Sequence, residues 1–93
     1  MEHRSERRRA SLSSRDNDRI VSLSALHTGE HGEVVELAGG HGMLSRMTAL
    51  GFTPGADVTI VQNYGRGPLI ARVRDARVAL GRGEARRVYV RRR

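Results

Sequence analysis

His27, His31 and His41 lie within one short stretch, with Glu30 and Glu33 between them. Imidazole nitrogens and carboxylate oxygens together form a donor set suited to Zn(II) or Fe(II). His27 and His31 are four residues apart, but Thr28-Gly29 breaks any shared helical face. A metal would therefore be held from a loop, with His41 joining if its glycine-rich loop folds over. Closed structural sites use three or four ligands at defined spacing. This set supports at most a weak transition-metal site, Fe(II) or Zn(II), or one completed by a second subunit. The plainer reading is exposed loop histidines with no ligand role. The chain has no Cys, which excludes disulfides, thiolate ligands and a Cys nucleophile.

Catalysis finds little support. No Ser-His-Asp arrangement, paired-carboxylate cleft or activated nucleophile emerges from the residue order, and 93 residues leave little room to enclose a substrate. Gly39-Gly40-His41-Gly42 ahead of a helical stretch resembles a phosphate cradle only loosely, because the Lys-Ser/Thr of a P-loop is absent. The chain reads as a non-enzymatic binding module.

Charge is the next clue. The formal net charge is +7. It is concentrated at the ends: residues 20–81 are neutral overall, whereas the last twelve carry Arg82, Arg86, Arg87 and Arg91-Arg92-Arg93 against Glu84 alone. A basic tail attracts any polyanion. Within the neutral stretch, Arg72, Arg74 and Arg77 read as the solvated face of a hairpin, partly paired with Asp75 or Glu36.

These residues need elements to hold them. Residues 1–19 offer almost nothing to bury and read as a disordered extension. They also lack the apolar run of a signal peptide. The folded domain spans 20–91, opening with Ile20 to Leu26. His31 to Leu37 reads as a first long strand. Met43, Met47 and Leu50 fall at helical spacing, so Met43–Leu50 reads as the one short helix, with Arg46 and Ala49 facing away. Leu50-Gly51-Phe52-Thr53-Pro54-Gly55 is a helix-to-strand corner. Gly51 ends the helix, and Pro54-Gly55 fits the middle of a type II turn. Val58–Gln62, Leu69–Arg74, Arg77–Leu80 and Arg87–Arg91 alternate as strands. The total is about five short strands and one inserted helix. Closing so small a sheet into a barrel removes its edges, so the expected fold is mainly β, a small SH3-like barrel.

At these residues the chain resembles the FeoA family, small SH3-like proteins associated with bacterial ferrous iron uptake. The resemblance rests on Leu23-x-x-Leu26-x-x-Gly29, Gly32-x-Val34, the helix leading into Leu50-Gly51-Phe52-Thr53-Pro54-Gly55-x-x-Val58, Gly67-Pro68-Leu69, Arg77 to Arg82, Glu84-Ala85 and Val88-x-Val90. It implies a cytoplasmic accessory protein, peripheral to the inner membrane through its partner. That partner would be FeoB, the membrane-embedded Fe(II) transporter, and the family carries a general association with transition metals. The surface expected to meet the partner is Arg46, Leu50, Phe52 and Pro54 on the helix and corner, with Tyr64 and Arg66 on the Gly-rich loop. Leu50 and Phe52 could serve the core instead. An exposed barrel edge could also support a homodimer.

The competing function is an RNA- or ribosome-associated SH3-like module of the KOW type. Gly32-Glu33-Val34 and the outward arginines fit it. The scarcity of stacking aromatics, Phe52, Tyr64 and Tyr89 alone, counts against it.

Overall fold

A computed structural model describes residues 19–93. The extension expected over 1–19 therefore lies, apart from Arg19, outside the described residues.

Six strands form one antiparallel sheet. In chain order they are β1 (Ile20–Ser22), β2 (His31–Leu37), β3 (Asp57–Gln62), β4 (Leu69–Val73), β5 (Ala76–Leu80) and β6 (Val88–Arg92). Their order across the sheet is β1-β6-β2-β3-β4-β5. Two helices interrupt them, α1 (His41–Leu50) and the single-turn α2 (Arg82–Arg86), and a 3₁₀ turn covers Leu23–Ala25. Sequence periodicity gives five strands. The sixth is β1, whose three residues carry too little pattern to read and are strand only because β6 pairs with them. Two further boundaries move. α1 begins at His41, two residues before the first apolar position, because Gly40 takes an extended conformation and helical geometry starts directly after it. The β4–β5 reversal is Arg74-Asp75, one residue earlier than the Asp75-Ala76 that alternation suggests.

The sheet curls around its core. Register shifts between Val34 and Glu36 on β2, and between Ile60 and Gln62 on β3, insert an extra residue into each ladder. Such bulges bend a strand and increase its twist. Alternating residues point inward: Val58 and Ile60 on β3, Leu69, Ala71 and Val73 on β4, and Val88 and Val90 on β6 are all buried. Phe52 and Met47 join them from the helix side, and Leu23 and Leu26 from the 3₁₀ turn.

The corner is held as its residue types require. Gly51 adopts φ 107, and its N–H bonds to the Thr48 carbonyl at 3.0 Å while the Phe52 N–H reaches Met47 O at 2.9 Å. This is the double cap that a left-handed glycine makes possible at a helix end. It turns Phe52 back onto Met47 in the core. Thr53-Pro54-Gly55-Ala56 then closes a turn, Ala56 N–H to Thr53 O at 2.9 Å, with Gly55 at φ 95. Proline second and positive-φ glycine third is the type II pattern. Gly55 N–H to Val34 O (2.7 Å) and Val34 N–H to Ala56 O (2.9 Å) pin the corner to β2.

Asn63 is a fastening point that its sequence context does not advertise. Its backbone N–H donates to Thr28 Oγ1 at 3.0 Å, and its side-chain Nδ2 donates to the carbonyls of Ser24 (3.2 Å) and Leu26 (2.6 Å). Its Oδ1 accepts from the Gly65 N–H (2.9 Å) and from Arg82 Nη2 (2.5 Å). One amide thus ties the 3₁₀ turn, the end of β3 and the start of α2 together. Truncating it strips partners from half-buried polar groups, each costing about 1–3 kcal/mol when left unmet. Asn63→Ala is expected to lower stability by about 2 kcal/mol in urea unfolding, with Asn63→Asp intermediate because it keeps the acceptor and loses the donor.

Candidate functional site

The surface expected to meet a partner divides into separate regions. Arg46 stands exposed on α1 and is ion-paired to Glu84 of α2. Glu84 also accepts the Gly81 N–H through Oε1 at 3.1 Å, so the same carboxylate caps α2. Leu50 is half-buried and packs against the core. Pro54 is exposed at the tip of the corner. Phe52 has no exposed surface at all. Its assignment to a contact surface is therefore corrected: the cap at Gly51 rotates its ring into the core, and no partner can reach it.

Tyr64 and Arg66 are both exposed, and Tyr64 keeps 76% of its surface open. They do not adjoin the corner. The corner enters β3 at Asp57 and the Asn63–Pro68 loop leaves it at Gln62. Five steps of extended chain separate these ends by about 17 Å. What lies beside the corner is Arg74, in the β4–β5 turn: Thr53, Pro54, Gly55, Ala56, Asp57 and Arg74 line an open hollow there. Arg74 Nη2 is 3.4 Å from Thr53 Oγ1.

The histidines do not converge. Among the described residues no three His, Asp or Glu side chains come together in a metal-holding group, so the set His27, His31 and His41 is not assembled within one chain. His31 opens β2, and His41 sits in the first turn of α1, beyond the far end of that strand. Seven residues of extended chain keep them apart. The acids between them are engaged elsewhere. Glu30 accepts the His27 backbone N–H at 2.8 Å and lies 3.6 Å from Arg92 Nε. The His27 amide, with Arg92 assisting, holds the Glu30 carboxyl below its ordinary value.

The basic C-terminus is also different from its sequence appearance. Arg91 and Arg92 are part of β6, and the Arg93 N–H bonds to His31 O at 3.1 Å. Arg93 Nη2 lies 3.0 Å from Glu33 Oε1 and 3.5 Å from Asp57 Oδ1, and Arg91 Nη1 lies 3.6 Å from Glu33. The triplet is not a free tail. β-pairing lays it across Glu30, Glu33 and Asp57, three of the five acids that make the central stretch neutral.

Arg72, Arg74 and Arg77, on the β4–β5 hairpin, differ from the C-terminal triplet. Among the described residues none of them forms an ion pair, so the expected pairing with Asp75 or Glu36 does not occur. Arg72 and Arg77 stand directly opposite each other on β4 and β5. Arg74 and Asp75 hold the turn between these strands at φ 52 and 67. This is a two-residue hairpin turn with positive φ at both positions, where glycine or asparagine is usual. The signal was available in part. The alternation of Leu69–Arg74 and Arg77–Leu80 shows three outward arginines, but the cross-strand register that sets two of them face to face is tertiary.

The comparisons bear on the whole domain. A family model for the FeoA domain matches residues 21–92. A solved FeoA described as an iron uptake regulatory protein is 38% identical, with a TM-score of 0.76 over 80% of this chain and 99% of its own. FeoA of Stenotrophomonas maltophilia, solved with zinc and described as an SH3 domain protein, is 32% identical. Its TM-score is 0.68 over 75% of this chain and 88% of that one. A manganese-dependent transcriptional repressor shares the fold at 20% identity, TM-score 0.72, with this chain spanning 42% of its length. No curated protein matches the chain by sequence at a significant level. The mainly β architecture is thus that of the SH3-like FeoA structures, and its agreement with the family model runs from β1 to the end of β6. The chain belongs to the FeoA family.

Proposed function

We propose that this protein is a cytoplasmic, non-catalytic accessory of ferrous iron uptake that docks on a FeoB-type transporter and modulates it. The observation that carries the reading is the 38% identity extending over 99% of a solved FeoA chain described as an iron uptake regulatory protein. A role in ferrous iron transport follows from the family, and docking is the act such a small module is built for. Among the described residues no helix is long and apolar enough to cross a membrane, which fits the accessory role proposed here. The exposed side of α1 with Arg46, continued by Pro54 in the corner that follows it, is one face available for contact, and exposed arginine is a residue type that anchors interfaces.

The test is affinity capture of FeoB from native membrane extract by the full chain, alongside an RNA titration at two salt concentrations. Recovery of the transporter, with RNA binding that fades at physiological salt, is the expected result. Phosphate contacts of a nonspecific kind weaken steeply as salt rises. Salt-resistant RNA binding without the transporter would overturn the reading and favour the nucleic-acid module.

A further inference from the structure

β5 is an outer strand of the sheet, paired with β4 on one side only. The hairpin register fixes which of its backbone groups are free. A two-residue turn closes on a hydrogen-bonded pair, here Val73 with Ala76. Hydrogen-bonded pairs alternate along an antiparallel ladder, so Ala71–Val78 and Leu69–Leu80 follow. The N–H and C=O groups of Arg77 and Ala79 therefore point away from β4, to the open edge. Among the described residues no other backbone bond reaches β5.

On β4 and β5 the outward charged side chains are Arg72 and Arg77, and the turn between the strands carries Arg74 with Asp75 beside it. Arg77 faces Arg72 across the ladder, and like charges directly opposite destabilise a sheet. Arg74 extends the group from a turn whose positive φ at two non-glycine residues carries strain of its own. Folding gains nothing from the facing arginines, whereas Glu30, Glu33 and Asp57 are already committed to Arg91, Arg92 and Arg93. We propose that the β5 edge is a docking strand for an extended acidic segment of a partner protein, which adds as a seventh strand on the backbone of Arg77 and Ala79. Its alternate Asp or Glu side chains meet Arg77 and Arg72, and its first residues reach Arg74 above the corner hollow. A second copy of this chain is the wrong occupant, because edge-to-edge pairing would bring two sets of the same arginines together. As a mode of docking on the transporter the proposal rests on the function given above. As a binding property of the edge it stands alone.

The experiment separates the two. The full chain, labelled with nitrogen-15, is titrated with a capped ten-residue peptide of alternating Glu and Thr, and with its Lys-Thr counterpart. The Glu-Thr peptide is expected to shift the Arg77 and Ala79 amides and slow their hydrogen exchange, and the Lys-Thr peptide to do neither. Ala79→Pro removes an edge donor and leaves the β4 ladder intact, since proline is tolerated where the N–H faces outward. Arg77→Glu reverses the charge without touching the backbone. Each is expected to weaken peptide binding at least tenfold with the remaining spectrum unchanged. Shifts that spare residues 76–80, binding that survives Arg77→Glu, or self-association through the edge would overturn the proposal. Capture of FeoB by wild type and equally by both variants would overturn it as the docking mode while leaving the accessory function standing. Failure of wild type to capture FeoB, with peptide binding intact, would sink the accessory function instead.

Discussion

Phe52→Ala is expected to lower stability by about 3–5 kcal/mol, the range for deleting a buried ring. In a domain of this size that corresponds to a melting temperature lower by roughly 15–30 °C. Phe52 is the only Phe in the chain and is completely enclosed. Its ring lies where α1 turns into the corner, between Met47 and the inward residues of the sheet. The cap that aims it there is made by the backbone of Gly51 and Phe52, so an alanine would keep the turn and lose only the packing. Small domains have little stability in reserve, and the loss would leave the protein near the edge of folding at growth temperature. Thermal melting by circular dichroism checks it. Phe52→Leu, which refills most of the volume, should recover more than half of the loss. A melting shift of only a degree or two for Phe52→Ala would mean that the ring is outside the core and free to contact a partner.

The second large effect is expected at Gly32. A Cβ there would lie 2.7 Å from the Arg91 carbonyl oxygen and 3.3 Å from Val90 Cβ. The first of these is backbone in a paired strand, so it cannot swing aside as a flexible side chain would. Gly32→Ala is expected to cost about 2–3 kcal/mol, the scale of forcing extra volume into a packed interior. The damage should be local in a recognisable way. Gly32 pairs with Arg92 on β6 and Val58 on β3, so separating β2 from β6 also loosens Glu33 from Arg91 and Arg93. Amide exchange in β6 should therefore accelerate more than exchange in β4. Gly42 in α1 is the contrast: nothing stands within 4 Å of its Cβ position. Gly42→Ala should raise stability by about 0.4–1 kcal/mol, because this open position in the first turn of α1 accepts alanine and the substitution restricts the unfolded chain. Equal effects at the two positions would show that close strand approach is not why Gly32 is glycine.

Local chemistry explains which features could be read from the residues alone. The end of α1 was legible because Gly51, Pro54 and Gly55 each have one favoured backbone role, and the three roles agree. The strands from β2 onward were legible because apolar residues alternate in them. β1 was not, because three residues carry no period. The start of α1 is not legible because His41 and Gly42 are poor helix formers that α1 nonetheless includes. The reach of Asn63 was invisible for a different reason. Its partners at Ser24, Leu26 and Arg82 are distant in sequence, and nothing in the order of residues brings them near.

Charge shows the same division more sharply. The chain by itself determined the mainly β class, the corner and the inward set that fills the core, because these follow from backbone preference and from the period of burial. Only the tertiary structure decided what each charge does. Pairing β6 with β2 converts Arg91, Arg92 and Arg93 from a tail into partners for Glu30, Glu33 and Asp57. Pairing β5 with β4 leaves Arg72 and Arg77 facing one another, and among the described residues neither forms an ion pair. Coulombic energy depends on distance in space, and in an antiparallel sheet that distance is set by register between strands rather than by position along the chain.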